Sequence, residues 1–90
     1  IVIARIGGKD IAFLSRHGKG HNIPAHRVNY RANISALKSI GVEEIISFSA
    51  VGSLKEELRP LDFVVPTQGI DWTRKRENSF FGEGGIAAHI

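Results

Sequence analysis

The stretch "VEEIISFSAVGS", residues 42–53, bears most directly on the fold class. Its centre, Ile45-Ile46-Ser47-Phe48, is almost unbroken in apolar character. A strand with one wet face alternates, whereas a near-continuous apolar run is expected of a strand covered on both faces, as in α/β sheets. The run then passes into Ser49-Ala50-Val51-Gly52-Ser53, small residues at the carboxyl end of the predicted strand. In open α/β sheets that end is where ligands bind. On the amino side, Gly41 stands where a glycine ends a helix. Tyr30, Ile34 and Leu37 before it fall at i, i+4 and i+7, which predicts a helix over residues 27–40. A helix feeding a buried strand gives an α/β reading.

Further out, "IVIARI" and "IAFLS" flank Gly7-Gly8-Lys9-Asp10 and predict a β-hairpin. Its second strand delivers Ser15-Arg16-His17 into "SRHGKGH", residues 15–21, where Gly18 and Gly20 permit a sharp turn or a close backbone approach to a ligand. Pro24 closes that loop. Downstream, "DFVVP" between Pro60 and Pro66 predicts a further strand. Residues 68–85, "QGIDWTRKRENSFFGEGG", are polar with isolated aromatics and predict a long surface loop or an interface segment.

Ninety residues make at most one domain, and a chain of that size buries only about 60–65 % of its unfolded surface. No apolar run approaches the roughly 20 residues of a membrane span. The start carries no signal-peptide pattern. Cysteine is absent, which removes disulfides and thiolate metal sites and fits a cytoplasmic protein. The chain starts at Ile1, lacks methionine and ends in "GGIAAHI", so it is expected to be a piece of a longer protein.

The net charge is +3, but residues 11–42 hold no carboxylate. They hold Arg16, Lys19, Arg27, Arg31 and Lys38 with His17, His21 and His26. Such a stretch suits an anionic partner or is a solvated face balanced by acids elsewhere. Within it, Arg16 offers a fork of donors matched to phosphate or carboxylate, and His17 adds a donor in either protonation state. Backbone N–H groups freed by Gly18 and Gly20 complete an oxyanion site, or else the segment is a polar loop whose arginine pairs with a distant acid. Ser49 and the amides after it offer a hydroxyl and donors for the same anion, or simply a tight turn. Together the two segments supply charge and hydroxyl to one place if the fold brings both strand ends together.

His21, His26 and His89 lack metal-ligand spacing, and each alone reads as a surface or hydrogen-bonding residue; no metal is expected. Asp71 and Arg74 read as an ion pair near a turn. Trp72, Phe80 and Phe81 read as core or interface anchors.

"SRHGKGH", "VNYRANISALKSIGV", "SFSAVGSL" and "DFVVPTQGIDWT" resemble, in continuous order, the purine nucleoside phosphorylase / 5′-methylthioadenosine phosphorylase family in its trimeric branch, and most closely the methylthioadenosine phosphorylases. The resemblance implies an α/β fold with a central mixed sheet, of which residues 1–90 are a partial domain, assembled as a homotrimer. It implies phosphorolysis of a purine nucleoside, with inorganic phosphate as co-substrate and no cofactor. Carried over by residue, Arg16 and His17 match the phosphate-binding pair. Ser49 stands where the family often has threonine, and Ala50 belongs with it. Ala50, Val51 and Gly52 match the backbone lining the nucleoside pocket. His89 matches a residue reaching the 5′-substituent in the neighbouring subunit's site, and His21 matches a nearby family histidine. The family's first glycine-rich phosphate loop and its later purine- and ribose-binding residues have no counterpart in these 90 residues, which leaves the isolated segment expected to be inactive. Pro60-Leu61-Asp62 replaces a common Pro-Gly-Asp, and Gly69 replaces a usually bulky residue.

Three functional classes follow. The first is a nucleoside phosphorylase segment, cleaving 5′-methylthioadenosine or, alternatively, a 6-oxopurine nucleoside. The second is a small basic nucleic-acid-binding module, which the separation of aromatics from the basic run disfavours. The third is an oligomerisation piece. The phosphorylase reading carries the expectation of no nucleic acid and no membrane.

Overall fold

The computed structural model describes residues 1–81 together with residues 84 and 85. Two antiparallel strands open the chain, β1 (Val2–Ile6) and β2 (Lys9–Phe13), in a register pairing Val2 with Phe13 and Ile6 with Lys9. The two-residue loop between them needs positive φ at both positions, and Gly7 (φ 56°) and Gly8 (φ 78°) supply it. Arg5 and Asp10 sit opposite each other and pair across the ladder at 3.4 Å, both well exposed. A pair so placed adds little beyond register.

The predicted helix is present but shorter. Pro24 opens one 3₁₀ turn, Ala25–Arg27, and the chain is extended at Val28. Only then does the helix α1 (Tyr30–Ser39) begin. Asn29 is the reason: its side-chain oxygen accepts the Ala32 N–H at 2.9 Å, an N-cap worth about 1 kcal/mol. The other end closes on Gly41 (φ 80°), whose N–H bonds the Lys38 carbonyl while Val42 N–H bonds that of Leu37. This is a Schellman motif, in which a left-handed glycine lets the chain turn back onto the orphan carbonyls.

The predicted strand over residues 42–49 is corrected. The segment is extended, but no neighbour pairs with it, and Ile46 and Phe48 are 80 % and 69 % exposed rather than covered on both faces. The run before Pro66 is likewise unpaired, with Val65 88 % exposed. A strand exists by pairing with another edge, and among the described residues only β1 and β2 form a sheet. Residues 68–81 hold no helix or strand, in line with the loop reading. Part of that segment rests on the start of α1: Arg31 bridges to Glu77 and donates to the Ser79 carbonyl, and the Arg76 guanidinium lies 5.5 Å from the centre of the Tyr30 ring.

Only Val28 and Leu37 are buried apolar residues among those described. The radius of gyration is 16.2 Å, against roughly 12 Å for a compact chain of this length. Residues 1–42 are therefore held by local hydrogen bonds more than by a core.

Candidate functional site

Residues 15–23 fold back on themselves. Gly18 N–H bonds the Ser15 carbonyl at 2.9 Å, His21 N–H bonds that of Gly18 at 3.1 Å, and Ile23 N–H bonds that of His17 at 2.9 Å. Gly18 is needed twice over. Its φ is +77°, and a Cβ there would stand 2.8 Å from Asn22 Oδ1 and 3.1 Å from Ile23 Cδ1. Gly20 (φ 84°) and His21 (φ 55°) continue the left-handed path.

This loop meets the segment after Ile46 through one side chain. The Arg16 guanidinium donates from Nη1 to the Phe48 carbonyl at 3.0 Å and from Nη2 to Ser49 Oγ at 3.2 Å. Because Ser49 Oγ accepts from arginine, its own O–H remains to donate elsewhere. Arg16 uses two of its five N–H donors on these contacts. An open cleft of about 500 Å³ lies at the junction, lined by Arg16, His17, Gly18, His21, Ser49 and Ala50 among others.

His17 Nδ1 lies 2.7 Å from the Ile23 carbonyl oxygen. A carbonyl only accepts, so Nδ1 carries the proton, and the neutral ring has Nε2 as an acceptor. This narrows the sequence-based reading: His17 offers a second N–H to an anion only as the doubly protonated cation. The His21 ring stacks on it, centroids 4.5 Å apart and planes 25° from parallel.

The structure thus gathers Arg16, His17, His21, Ser49 and Ala50 around one cleft. Val51 and Gly52 are exposed and do not line it. His89 lies outside the described residues. Sequence reasoning missed the Phe48 carbonyl as a partner of Arg16 and the Ile23 carbonyl as the partner of His17; both are backbone groups, and side-chain chemistry carries no signal for them. The Asp71–Arg74 ion pair is corrected: the Asp71 carboxylate takes the hydroxyl and N–H of Thr73 at 2.7 and 2.9 Å. Those two bonds, with a weaker attraction from Arg76, hold the Asp71 carboxyl below its usual range. The distributed basic charge is partly answered, since Arg31 pairs with Glu77. Among the described residues no three His, Asp or Glu side chains cluster as a metal site would require, and no helix is long and apolar enough to cross a membrane.

The model of the phosphorylase superfamily matches residues 1–90. The chain is 57 % identical over 90 residues to an S-methyl-5′-thioadenosine phosphorylase of Hyperthermus butylicus, covering all of this chain and 32 % of the relative. It is equally similar, at 57 %, to the protein of that name from Saccharolobus solfataricus, again over the whole chain and 33 % of the relative. A 6-oxopurine nucleoside phosphorylase of Pyrococcus furiosus is 53 % identical over 81 residues, 90 % of this chain and 31 % of that protein. The chain spans about a third of the length of these curated relatives. No solved structure matches it.

Proposed function

The chain belongs to the phosphorylase superfamily, and from that premise we propose that it carries the phosphate side of an active site that cleaves S-methyl-5′-thioadenosine. The observation that supports this most directly is the Arg16 guanidinium joining Ser49 in a cleft that His17 and Ala50 also line. A permanent cation, a hydroxyl with its proton free and an imidazole able to become cationic are the donors an inorganic phosphate dianion needs.

In the proposed reaction a phosphate oxygen forms a bond to C1′ as the C1′–N9 bond breaks. The departing adenine takes the bonding electron pair and a proton, matched by the proton that the attacking phosphate gives up, leaving 5-methylthioribose 1-phosphate. Charge builds on the sugar as the bond loosens, and a phosphate fixed beside it both attacks and stabilises that cation. Phosphate is a co-substrate, and the proposal requires neither metal nor cofactor. Ala50, Val51 and Gly52 are proposed to line the nucleoside side, where Val51 and Gly52 are exposed here.

The choice of 5′-methylthioadenosine over a 6-oxopurine nucleoside rests on the two S-methyl-5′-thioadenosine phosphorylases at 57 % identity. The 6-oxopurine alternative is kept because a relative of that name reaches 53 %. A central mixed sheet, a homotrimer, a cytoplasmic location and a part in purine and methionine salvage belong to the same proposal. So does His89 as a contact to the 5′-group of a nucleoside in the neighbouring subunit. The pairing of Arg31 with Glu77 weighs against a nucleic-acid role for the basic run.

The test is steady-state phosphorolysis by the full-length protein, varying each substrate in turn. Arg16→Ala removes charge-assisted hydrogen bonds of about 1.5–3 kcal/mol, a roughly 10- to 100-fold loss in kcat/KM for phosphate. His89→Ala should instead raise KM for the nucleoside. Equal losses for both substrates with Arg16→Ala would sink the phosphate assignment, and faster cleavage of inosine than of methylthioadenosine would select the alternative substrate.

A further inference from the structure

We propose that His21 is a positioning residue that fixes the His17 ring for phosphate; this rests on the reading of the cleft as a phosphate site. His17 has one hydrogen bond holding its ring, from Nδ1 to the Ile23 carbonyl at 2.7 Å. One such bond sets the tautomer but leaves the ring free to swing about the N···O line. A second restraint on the ring face removes that freedom, and the His21 ring supplies it at 4.5 Å and 25° from parallel, in the range of an offset stack.

The backbone is arranged for this contact. In a helix, residues four apart meet by regular geometry, but residues 17–21 are not helical. His21 reaches back over His17 because its own φ is +55°, after left-handed glycines at 18 and 20. Histidine is among the non-glycine residues found there more often than most, though the conformation is uncommon. The turn is closed by His21 N–H on the Gly18 carbonyl at 3.1 Å. Such geometry costs free energy and persists where the surroundings enforce it.

The consequence for the reaction is orientation. His17 donates to an anion through Nε2 only when cationic, and a guanidinium 3.2 Å from Ser49 Oγ already fixes the other side of the site. A misdirected imidazole then loses part of the clamp on phosphate while leaving the nucleoside side intact.

The test compares His21→Phe with His21→Asn in the full-length protein. Phe keeps a stacking ring but cannot hydrogen-bond; Asn suits the left-handed backbone but has no ring. We expect phosphate KM to rise about tenfold in His21→Asn and to stay within about twofold of the parent in His21→Phe, with nucleoside KM unchanged in both. The His17 Nδ1–H signal in imidazole ¹⁵N NMR should be sharp in the parent and in His21→Phe, and broadened in His21→Asn. Should His21→Phe lose phosphate affinity as His21→Asn does while the His17 signal stays sharp in both, His21 contacts phosphate itself and the positioning role is overturned. Parent-like phosphate KM in His21→Asn overturns it too. If His21→Phe fails to fold, the Asn variant decides alone through its phosphate KM and the His17 signal together. Failure of the phosphate reading shows separately, as an Arg16→Ala protein with parental phosphate KM.

Discussion

Residues 1–42 and residues 43–81 are similar in length, and both are rich in apolar side chains, yet regular structure is confined to the first. The first region closes its hydrogen bonds on near neighbours. The Gly7-Gly8 turn joins adjacent strands, Asn29 caps the helix that follows it, and Gly41 terminates that helix. In the second region, local bonds make only isolated turns, such as Ser53 with Lys55 and Arg59 with Asp62. Its apolar residues Ile45, Phe48, Phe63 and Val65 stay more than half exposed, even though the Phe48 and Phe63 rings meet edge to face. The difference teaches that short-range hydrogen bonds define the hairpin and the capped helix, while an apolar run becomes a strand only against a partner. Arg16 and Arg31 both bond across the two regions, and the cleft lies where Arg16 crosses.

The comparison breaks most sharply at Gly18. Gly18→Ala imposes a strained left-handed alanine and a Cβ 2.8 Å from Asn22 Oδ1. Urea unfolding of the full-length protein should show a loss of about 2–3 kcal/mol. A loss below about 0.5 kcal/mol, the usual range of surface changes, would show that the first region is not held by its local turns.

A smaller effect of opposite sign is expected in the second region. Leu61 stands where the resembling family commonly has glycine, and its φ is +77° with the residue 96 % exposed. The glycine-type turn is therefore retained with a leucine in it, at a cost of roughly 1–2 kcal/mol. Leu61→Gly should raise stability by up to about 1 kcal/mol, once the greater freedom of an unfolded glycine is offset. A lower melting temperature instead would mean that the leucine side chain is covered in the full-length protein, and the contrast between the regions would weaken.

The smallest expected effect is electrostatic. Asp71 is held below its ordinary value of 3.8 chiefly by the Thr73 hydroxyl, then by the Thr73 N–H, with a smaller share from Arg76. A depressed carboxyl favours the folded state above its unfolded pKa, and that contribution is lost as pH falls through the folded one. Thr73→Val removes the hydroxyl bond, so the Asp71 carboxyl should titrate at higher pH in ¹³C NMR. An unmoved titration would show that the backbone N–H alone holds it.

Much of the first region was legible because its signals are local. Two glycines between apolar runs mean a hairpin, and Gly41 means a helix end. The helix starts at Tyr30, three residues later than the apolar spacing predicts, because Asn29 caps it. Asn29 three residues before Ala32 was the available signal. Arg16, His17 and Ser49 stood out as anion-binding chemistry, but their meeting was not legible. Arg16 and Ser49 lie 33 residues apart and are joined partly through the backbone at Phe48.

The sequence by itself determined the hairpin, the end of the helix, the sharp loop at Gly18 and the family to which the chain belongs. The three structural features depend on residue type at short spacing, where sterics and nearby hydrogen bonds act alone; the family rests on likeness along the whole chain. Tertiary structure decided what a composition cannot encode: that Arg16 reaches Ser49, that His17 spends Nδ1 on a carbonyl, and that His21 turns back to stack on it. It also decided that residues 42–49 lie unpaired, because pairing is a property of two edges and apolar character specifies only one.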